Sequence, residues 1–399
     1  MILPIGDEPN PRGTPWVTYA LLAVNAAVFL LLSLPLMSRG ADPSDPAVQQ
    51  LLRALIAANP DADPRLILHT VLKGRSAYDF FLLRWGYVPA DLQLLSLFSS
   101  MFLHGGWAHL LGNMLFLWIY GDNVEHALGR VGYLAAYLAT GLVAALGYGL
   151  FVPADQGQIP MVGASGAISG VLGFYFVWFP RNRVRLMIVP FIFWVWKVQA
   201  RLVLGFYLIV DNLLPFLLDQ HGSSVAHGAH IGGFVGGVVA ALLLNQWSRF
   251  RCRRRAAECD GFAARGTTDA GADQVVHAMD RAEAAEAIHL YLALPGAERR
   301  RLPLAVVASL ADWLTAQGQV DAALALYRQG QDDHPRGPGL DRIFLGIGLA
   351  LLHGKGRPTA AYQYLLDALD AGPEEEVRRR AREALDQIEA LQKLRIRPR

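Results

Sequence analysis

Six apolar runs, each bounded by proline, glycine or charge, occupy the first 248 positions of the chain: 16–34, 106–121, 131–151, 165–179, 201–218 and 226–247. The third, VGYLAAYLATGLVAALGYGLF, has no charged side chain over 21 positions. At about 1.5 Å per residue that crosses a hydrocarbon core of about 30 Å. The pattern predicts six membrane-spanning helices. Positions 186–196 are also apolar, but eleven residues containing Pro190 predict an interfacial or re-entrant segment rather than a seventh span. Beyond 248 the pattern changes. Residues 249–273 read as a linker, first basic and then rich in Gly, Ala and Thr, and in 274–395 apolar residues recur at spacings of three and four, as in soluble amphipathic helices. The expected fold class is all-α: a polytopic membrane helix bundle over 1–248, followed by a soluble α-helical repeat-like domain.

Composition sharpens this division. The chain of 399 residues is 53% apolar and 18% charged, against roughly 45–50% and about 25% in soluble proteins. The surplus sits in blocks, which excludes a soluble single-domain enzyme, a disordered chain and a disulfide scaffold. The net charge of +2 averages two unlike halves. Cys252 and Cys259 form no CxxC pair and read as reduced thiols facing a cytoplasm. The opening MILPIGDEPNPRGTPW lacks a basic n-region and a cleavage site, so the first run is expected to stay as an anchor. Arg130, the trio Arg181, Arg183 and Arg185, and the cluster at Arg249, Arg251, Arg253, Arg254 and Arg255 follow spans two, four and six. Basic loops mark the cytoplasmic side, so both termini are expected there and 35–105 outside, in the cell (inner) membrane. The last cluster also suits anionic headgroups of the lipid bilayer.

Polar side chains within spans are costly and therefore candidates for function. HGGWAHLLGN places His104 before span two, and His109 and Asn113 four apart on one helical face. GASG sets Ser165 between Gly163 and Gly166 in the first turn of span four, where free N–H groups favour developing negative charge. AHGAHIGGFVGG carries His227 and His230 in span six. Each has a plainer reading: interhelical hydrogen bonds for His109 and Asn113, an N-cap for Ser165, packing for the glycines. The stripe Gly228, Gly232, Gly236 is expected to meet Gly166 and Gly170 of span four, bringing Ser165 and His230 together. Spans two, four and six run in parallel, so these residues share one layer near the external face. Asp211 and Asn212 in span five offer an acidic residue that could orient a histidine, but the pair sits nearly mid-span and is expected to form a helix-bridging hydrogen bond instead.

A serine hydroxyl needs an imidazole to take its proton, and acyl transfer needs donors for the oxyanion. Ser165, His230, His109 and Asn113 supply those parts, and with no carboxylate well placed behind His230 the set reads as a dyad. A metal site is the rival chemistry, but the histidine spacings fit poorly and no carboxylate or Cys completes a ligand set, so neither metal nor other cofactor is expected.

The set HGGWAHLLGN, YGDNVEHALGR, GASG and AHIGG, in this order over roughly residues 1–248, resembles the rhomboid family of intramembrane serine proteases. The resemblance implies Ser165 as nucleophile and His230 as base then acid. It also implies an oxyanion hole of His109, Asn113 and the Ser165 N–H. Glu125, Arg130 and His104 match structural positions, as do Gly163 and Gly166, whereas His227 has no catalytic counterpart. The sequence departs from the pattern twice. Leu94, Leu95 and Ser96 stand where some members have a Trp-Arg pair, and Ser169 stands where some have a tyrosine packed on the histidine. The implied partners are transmembrane protein substrates, cleaved near the external face. A catalytically inactive membrane scaffold that binds client segments is the alternative, and a His-ligated metal-dependent hydrolase a further one. Residues 40–76 read as an inserted, partly helical external region. In the tail, Tyr291, Tyr327 and Leu365 fall in register at steps of 36 and 38, near the roughly 34-residue period of tetratricopeptide repeats. The tail thus resembles a short repeat scaffold for a cytoplasmic protein partner, and nothing in it points to nucleic acid.

Overall fold

In the computed structural model residues 2–153, 156–188, 195–218, 226–263 and 271–395 are described. Pro190, positions 264–270 of the linker, and the side chains of Cys252, Cys259 and the arginines at 249–255 lie outside the described residues. The chain packs as two units. One comprises Met1–Asp7, Thr14–Pro180 and Val184–Ala241, the other Glu8–Gly13, Arg181–Arg183 and Leu242–Arg399.

The first unit is built from the apolar runs. Helix α1 (Trp16–Met37) contains a π turn at Phe29–Ser33. Three short helices follow, α2 (Pro46–Ala58), α3 (Pro64–Leu72) and α4 (Ala77–Trp85). The first two start on a proline behind a capping aspartate, Asp45 or Asp63. Together the three enclose a small cluster of Val48, Val71 and Phe80, so the inserted region carries its own core. After α5 (Leu94–Ser99) comes α6 (Trp107–Phe151), which breaks at Gly129 (φ 74°, ψ 165°) into arms 107–128 and 130–151. Only a residue tolerant of positive φ makes that break cheaply. Each arm is about 33 Å long, enough to cross a bilayer core. Next come α7 (Ser165–Trp178), α8 (Ala200–Leu218, with a π turn at Ile209–Leu213) and α9 (His227–Ala263). Four of these helices, α1, α6, α8 and part of α9, are long and apolar enough to cross a membrane. Helix α7, of 14 residues, measures about 21 Å, short of the roughly 30 Å core, so its two ends cannot both reach the headgroups. It is buried along most of its length. Large apolar residues such as Leu31, Val131 and Leu150 instead face outward, the surface expected of helices solvated by lipid.

Glu125, at the end of the first arm of α6, caps α1. Its carboxylate accepts the backbone N–H of Val17 (3.0 Å) and both the N–H and hydroxyl of Thr18 (2.8 Å each). These are first-turn donors that α1 cannot satisfy itself. Removing the carboxylate strands buried donors at about 1–3 kcal/mol each. Glu125→Ala is therefore expected to cost about 3 kcal/mol, read as a lower unfolding temperature in detergent, with Glu125→Gln intermediate. An unchanged melting temperature would contradict the capping role.

One element departs from the helical expectation. Strands β1 (Ile2–Glu8), β2 (Arg183–Ile188) and β3 (Val195–Gln199) form a sheet in the order β1-β2-β3. The described ends of the 186–196 segment thus belong to strands. Asp7 ties β1 to the helices, accepting hydrogen bonds from Asn123 Nδ2 (2.9 Å) and from the Tyr175 hydroxyl. Burial, and secondarily the nearby Asp122, push its carboxyl well above the usual range.

In the second unit, consecutive helices pack as neighbours: α10 (Ala272–Asp280) with α11 (Ala284–Ala293), then, past the short α12 (Gly296–Arg299), α13 (Leu304–Ala316) with α14 (Val320–Asp333), and α15 (Leu340–Leu349) with α16 (Pro358–Asp370), which α17 (Glu375–Arg395) covers. Tyr291, Tyr327 and Leu365, the residues in register, are all buried in its core.

Candidate active site

Glycine controls which helices approach. A Cβ at Gly233 would run into the carbonyl oxygen of Gly166, one at Gly237 into that of Gly170, and one at Gly173 into that of Phe234. Helices α7 and α9 therefore touch backbone to backbone. The face differs from the expected one. Gly228, Gly232 and Gly236 lie against the second arm of α6 instead, where a Cβ at Gly147 would sit 3.0 Å from the Gly228 carbonyl oxygen and one at Gly236 3.0 Å from Val143. Span six carries two small-residue stripes, and the neighbouring one, through Gly233 and Gly237, meets span four.

That approach brings Ser165 and His230 together, with Ser165 Oγ 2.8 Å from His230 Nε2. Ser165 is the first residue of α7 and Ala164 its N-cap, with no side-chain capping bond. The hydroxyl is thus engaged by the imidazole rather than by its own helix, which removes the N-cap reading. The Ser165 N–H lies among the four first-turn donors without a partner in the helix.

His109 lies on the other side of Ser165. Gly163 has φ +123°, and a Cβ there would stand 2.6 Å from His109 Nε2 and 3.6 Å from Ser165 Oγ. Only glycine fits between them. His109 Nδ1 accepts the Gly105 N–H at 3.4 Å, which leaves the ring proton on Nε2, the nitrogen facing Gly163 and Ser165. His104 is buried with its ring edge-on to His109 at 5.1 Å. Its backbone is held at both ends by Tyr78, whose hydroxyl accepts the His104 N–H (3.2 Å) and donates to its carbonyl (3.0 Å). Asn113 is buried one turn on, with one amide hydrogen donated to the His109 carbonyl at 2.9 Å and the other without a partner among the described residues. Gly166 admits close packing of α7 on the second arm of α6, its Cβ position being 2.6 Å from Ala144.

The residue that the sequence reading did not bring into the site is Asn212. Its Oδ1 lies 2.6 Å from His230 Nδ1, on the edge of the ring opposite Ser165. The expected helix-bridging bond exists, and its partner is the histidine itself. Asp211 beside it is exposed. His227 lies one turn before, its ring 6.5 Å from that of His230 and perpendicular to it. Among the described residues no group of three His, Cys, Asp or Glu side chains could hold a metal ion.

Residues 91–247 match the family model described as Rhomboid domain. This stretch of the chain is a rhomboid domain. Rhomboid protease GluP of Bacillus subtilis is 33% identical over 148 residues, 37% of this chain and 25% of that protein. Rhomboid-like protein 11, chloroplastic, of Arabidopsis thaliana is 29% identical over 161 residues, 37% of this chain and 52% of that protein. Rhomboid protein 1, mitochondrial, of Saccharomyces cerevisiae is 33% identical over 116 residues, 28% of this chain and 32% of that protein. The chain thus spans between a quarter and about half the length of these relatives. With its apolar helices and this domain, the chain is a multi-pass membrane protein.

The second departure from the rhomboid pattern has a structural answer. Ser169, where some rhomboids carry a tyrosine, is buried and within 3.0 Å of the hydroxyl of Tyr207 on α8. The Tyr207 ring lies 6.4 Å from that of His230, tilted by 34°. The aromatic neighbour of the imidazole comes here from span five.

Proposed function

We propose that this protein is an intramembrane serine endopeptidase that hydrolyses peptide bonds in or near the transmembrane helices of other proteins. The observation that carries this reading is the 2.8 Å contact between Ser165 Oγ and His230 Nε2 at the N-terminus of a buried helix. Ser165 Oγ attacks the scissile carbonyl carbon while its proton passes to His230 Nε2. The Ser165 N–H, the His109 Nε2–H and the spare Asn113 amide hydrogen are the donors for the oxyanion. On collapse the C–N bond breaks, and His230 gives its proton to the leaving amine. Water, deprotonated by His230, then attacks the acyl ester, releasing the carboxyl product and restoring the serine. Such an enzyme in the cell membrane, with both termini in the cytoplasm, would act toward the external face. The register of Tyr291, Tyr327 and Leu365 supports reading the tail as a tetratricopeptide-like scaffold for a cytoplasmic protein partner.

The test is labelling of the full-length protein in proteoliposomes with a fluorophosphonate probe. Wild type is expected to be labelled and to cleave a model transmembrane substrate. Ser165→Ala is expected to take no label, and His230→Ala to label at least about 100-fold more slowly. A wild type that neither labels nor cleaves would leave the membrane scaffold, and chelator-sensitive cleavage without labelling would support metal chemistry instead.

A further inference from the structure

Taking Ser165 and His230 as the reactive pair, and so resting on the function just proposed, we infer that Asn212 is a positioning residue that makes the dyad a Ser165–His230–Asn212 triad. A neutral imidazole carries its proton on one nitrogen only, and His230 can take the serine proton through Nε2 only if that proton is on Nδ1. An acceptor at Nδ1 selects that tautomer. Asn212 Oδ1, at 2.6 Å, is such an acceptor.

The amide is itself oriented. Its Nδ2 donates to the backbone carbonyl of Tyr207 at 2.9 Å, which fixes Oδ1 as the end turned toward His230. The side chain is essentially fully buried, at 1% exposure, so water does not compete for either end. Its position depends on the π turn at Ile209–Leu213, which turns Asn212 inward and leaves Asp211 facing out. Interruptions of this kind recur at functional sites. The same helix places Tyr207 against the flank of the ring, with its hydroxyl tied to Ser169. Helix α8 thus contributes two restraints on one imidazole, at its Nδ1 edge and on its flank. An amide also suits the setting better than a carboxylate. It supplies the acceptor without burying a charge among apolar helices.

The triad and a merely structural helix bridge make different predictions. Asn212→Leu keeps the branched outline and removes the acceptor. It is expected to lower kcat by about 100-fold or more, with KM changed by less than about twofold, because the base and not the substrate contacts is disturbed. Asn212→Asp keeps an oxygen at Nδ1 whether ionised or protonated, and when protonated it can still donate to the Tyr207 carbonyl. It is expected to stay within about tenfold of wild type. Both are measured as the full chain in proteoliposomes by substrate cleavage and by the rate of fluorophosphonate labelling, with melting temperature as the check on folding. A folded Asn212→Leu protein with wild-type kcat overturns the inference. So does an Asn212→Asp protein that is folded and as inactive as Asn212→Leu, since the amide's donor or shape would then be what matters. If the leucine variant does not fold, the aspartate variant alone still decides. A wild type without activity or labelling defeats the protease reading, whereas an active wild type matched by Asn212→Leu defeats only the role of Asn212.

Discussion

Ser165→Ala is expected to reduce cleavage of a transmembrane substrate by on the order of 10⁴- to 10⁶-fold, the range in which a serine hydrolase loses its nucleophile but keeps its binding site and oxyanion donors. In energy a 10⁴-fold loss is about 5.5 kcal/mol of transition-state stabilisation. The fold should hardly notice. The substitution removes one hydroxyl and one hydrogen bond, to His230 Nε2, a net effect of about 1 kcal/mol. His230 remains held at its other nitrogen by Asn212, and α7 loses no cap because Ser165 does not supply one. The measurement is a pair: initial rates in proteoliposomes and thermal unfolding in detergent. A second variant strengthens it. Because Ser165 and His230 act as a unit, the double variant Ser165→Ala/His230→Ala is expected to be no slower than Ser165→Ala alone. Multiplicative losses would mean that the two residues contribute separately. Residual cleavage by Ser165→Ala near the wild-type rate would remove the serine mechanism altogether.

The contrast between a large kinetic effect and a small structural one follows from how the site is assembled, and this also decides what could be read in the sequence. The apolar runs and the polar residues inside them are local features, so the helices and the candidates Ser165, His230, His109 and Asn113 were legible. The sheet was not. Its strands come from a Pro- and Gly-containing N-terminus and from a short stretch, 183–199, whose mixed pattern has no clear period. A period of four in span six likewise could not separate two adjacent glycine stripes. Which stripe faces α7 and which faces α6 depends on the rotation of α9, a tertiary quantity. Asn212 was hidden for a related reason. A carboxylate is the usual acceptor behind such a histidine, and the turn that aims the amide inward is a π turn that an ordinary helical projection misplaces. Tyr207 and Ser169, exchanging the place of one aromatic ring across two helices, can be paired only once α7 and α8 are seen side by side.

Replacing Gly233 by valine is the second large effect, and it acts without touching any reacting group. The Cβ of residue 233 would meet the carbonyl oxygen of Gly166, the residue after Ser165, and a backbone oxygen cannot swing aside as a flexible side chain can. Relief requires α7 and α9 to move apart, and the same motion stretches the 2.8 Å contact between Ser165 and His230. A displacement of about 1 Å in a catalytic pair costs about 100-fold, so Gly233→Val is expected to lose at least that much in kcat/KM and to melt at a lower temperature. Gly237→Val, which meets Gly170 one turn deeper, should behave similarly with a smaller kinetic effect, since the strain lies farther from the pair. Two controls separate this from a general intolerance of larger residues. Gly236 faces the side chain of Val143, which can adjust, so Gly236→Ala should cost little. Gly205, on α8, has nothing within 4 Å of its Cβ position, and Gly205→Ala should keep full activity, with a slight gain in stability from better helix propensity. Equal losses in all four variants would show that the stripes do not have distinct partners. A fully active Gly233→Val protein would show that the serine and histidine do not depend on this backbone contact.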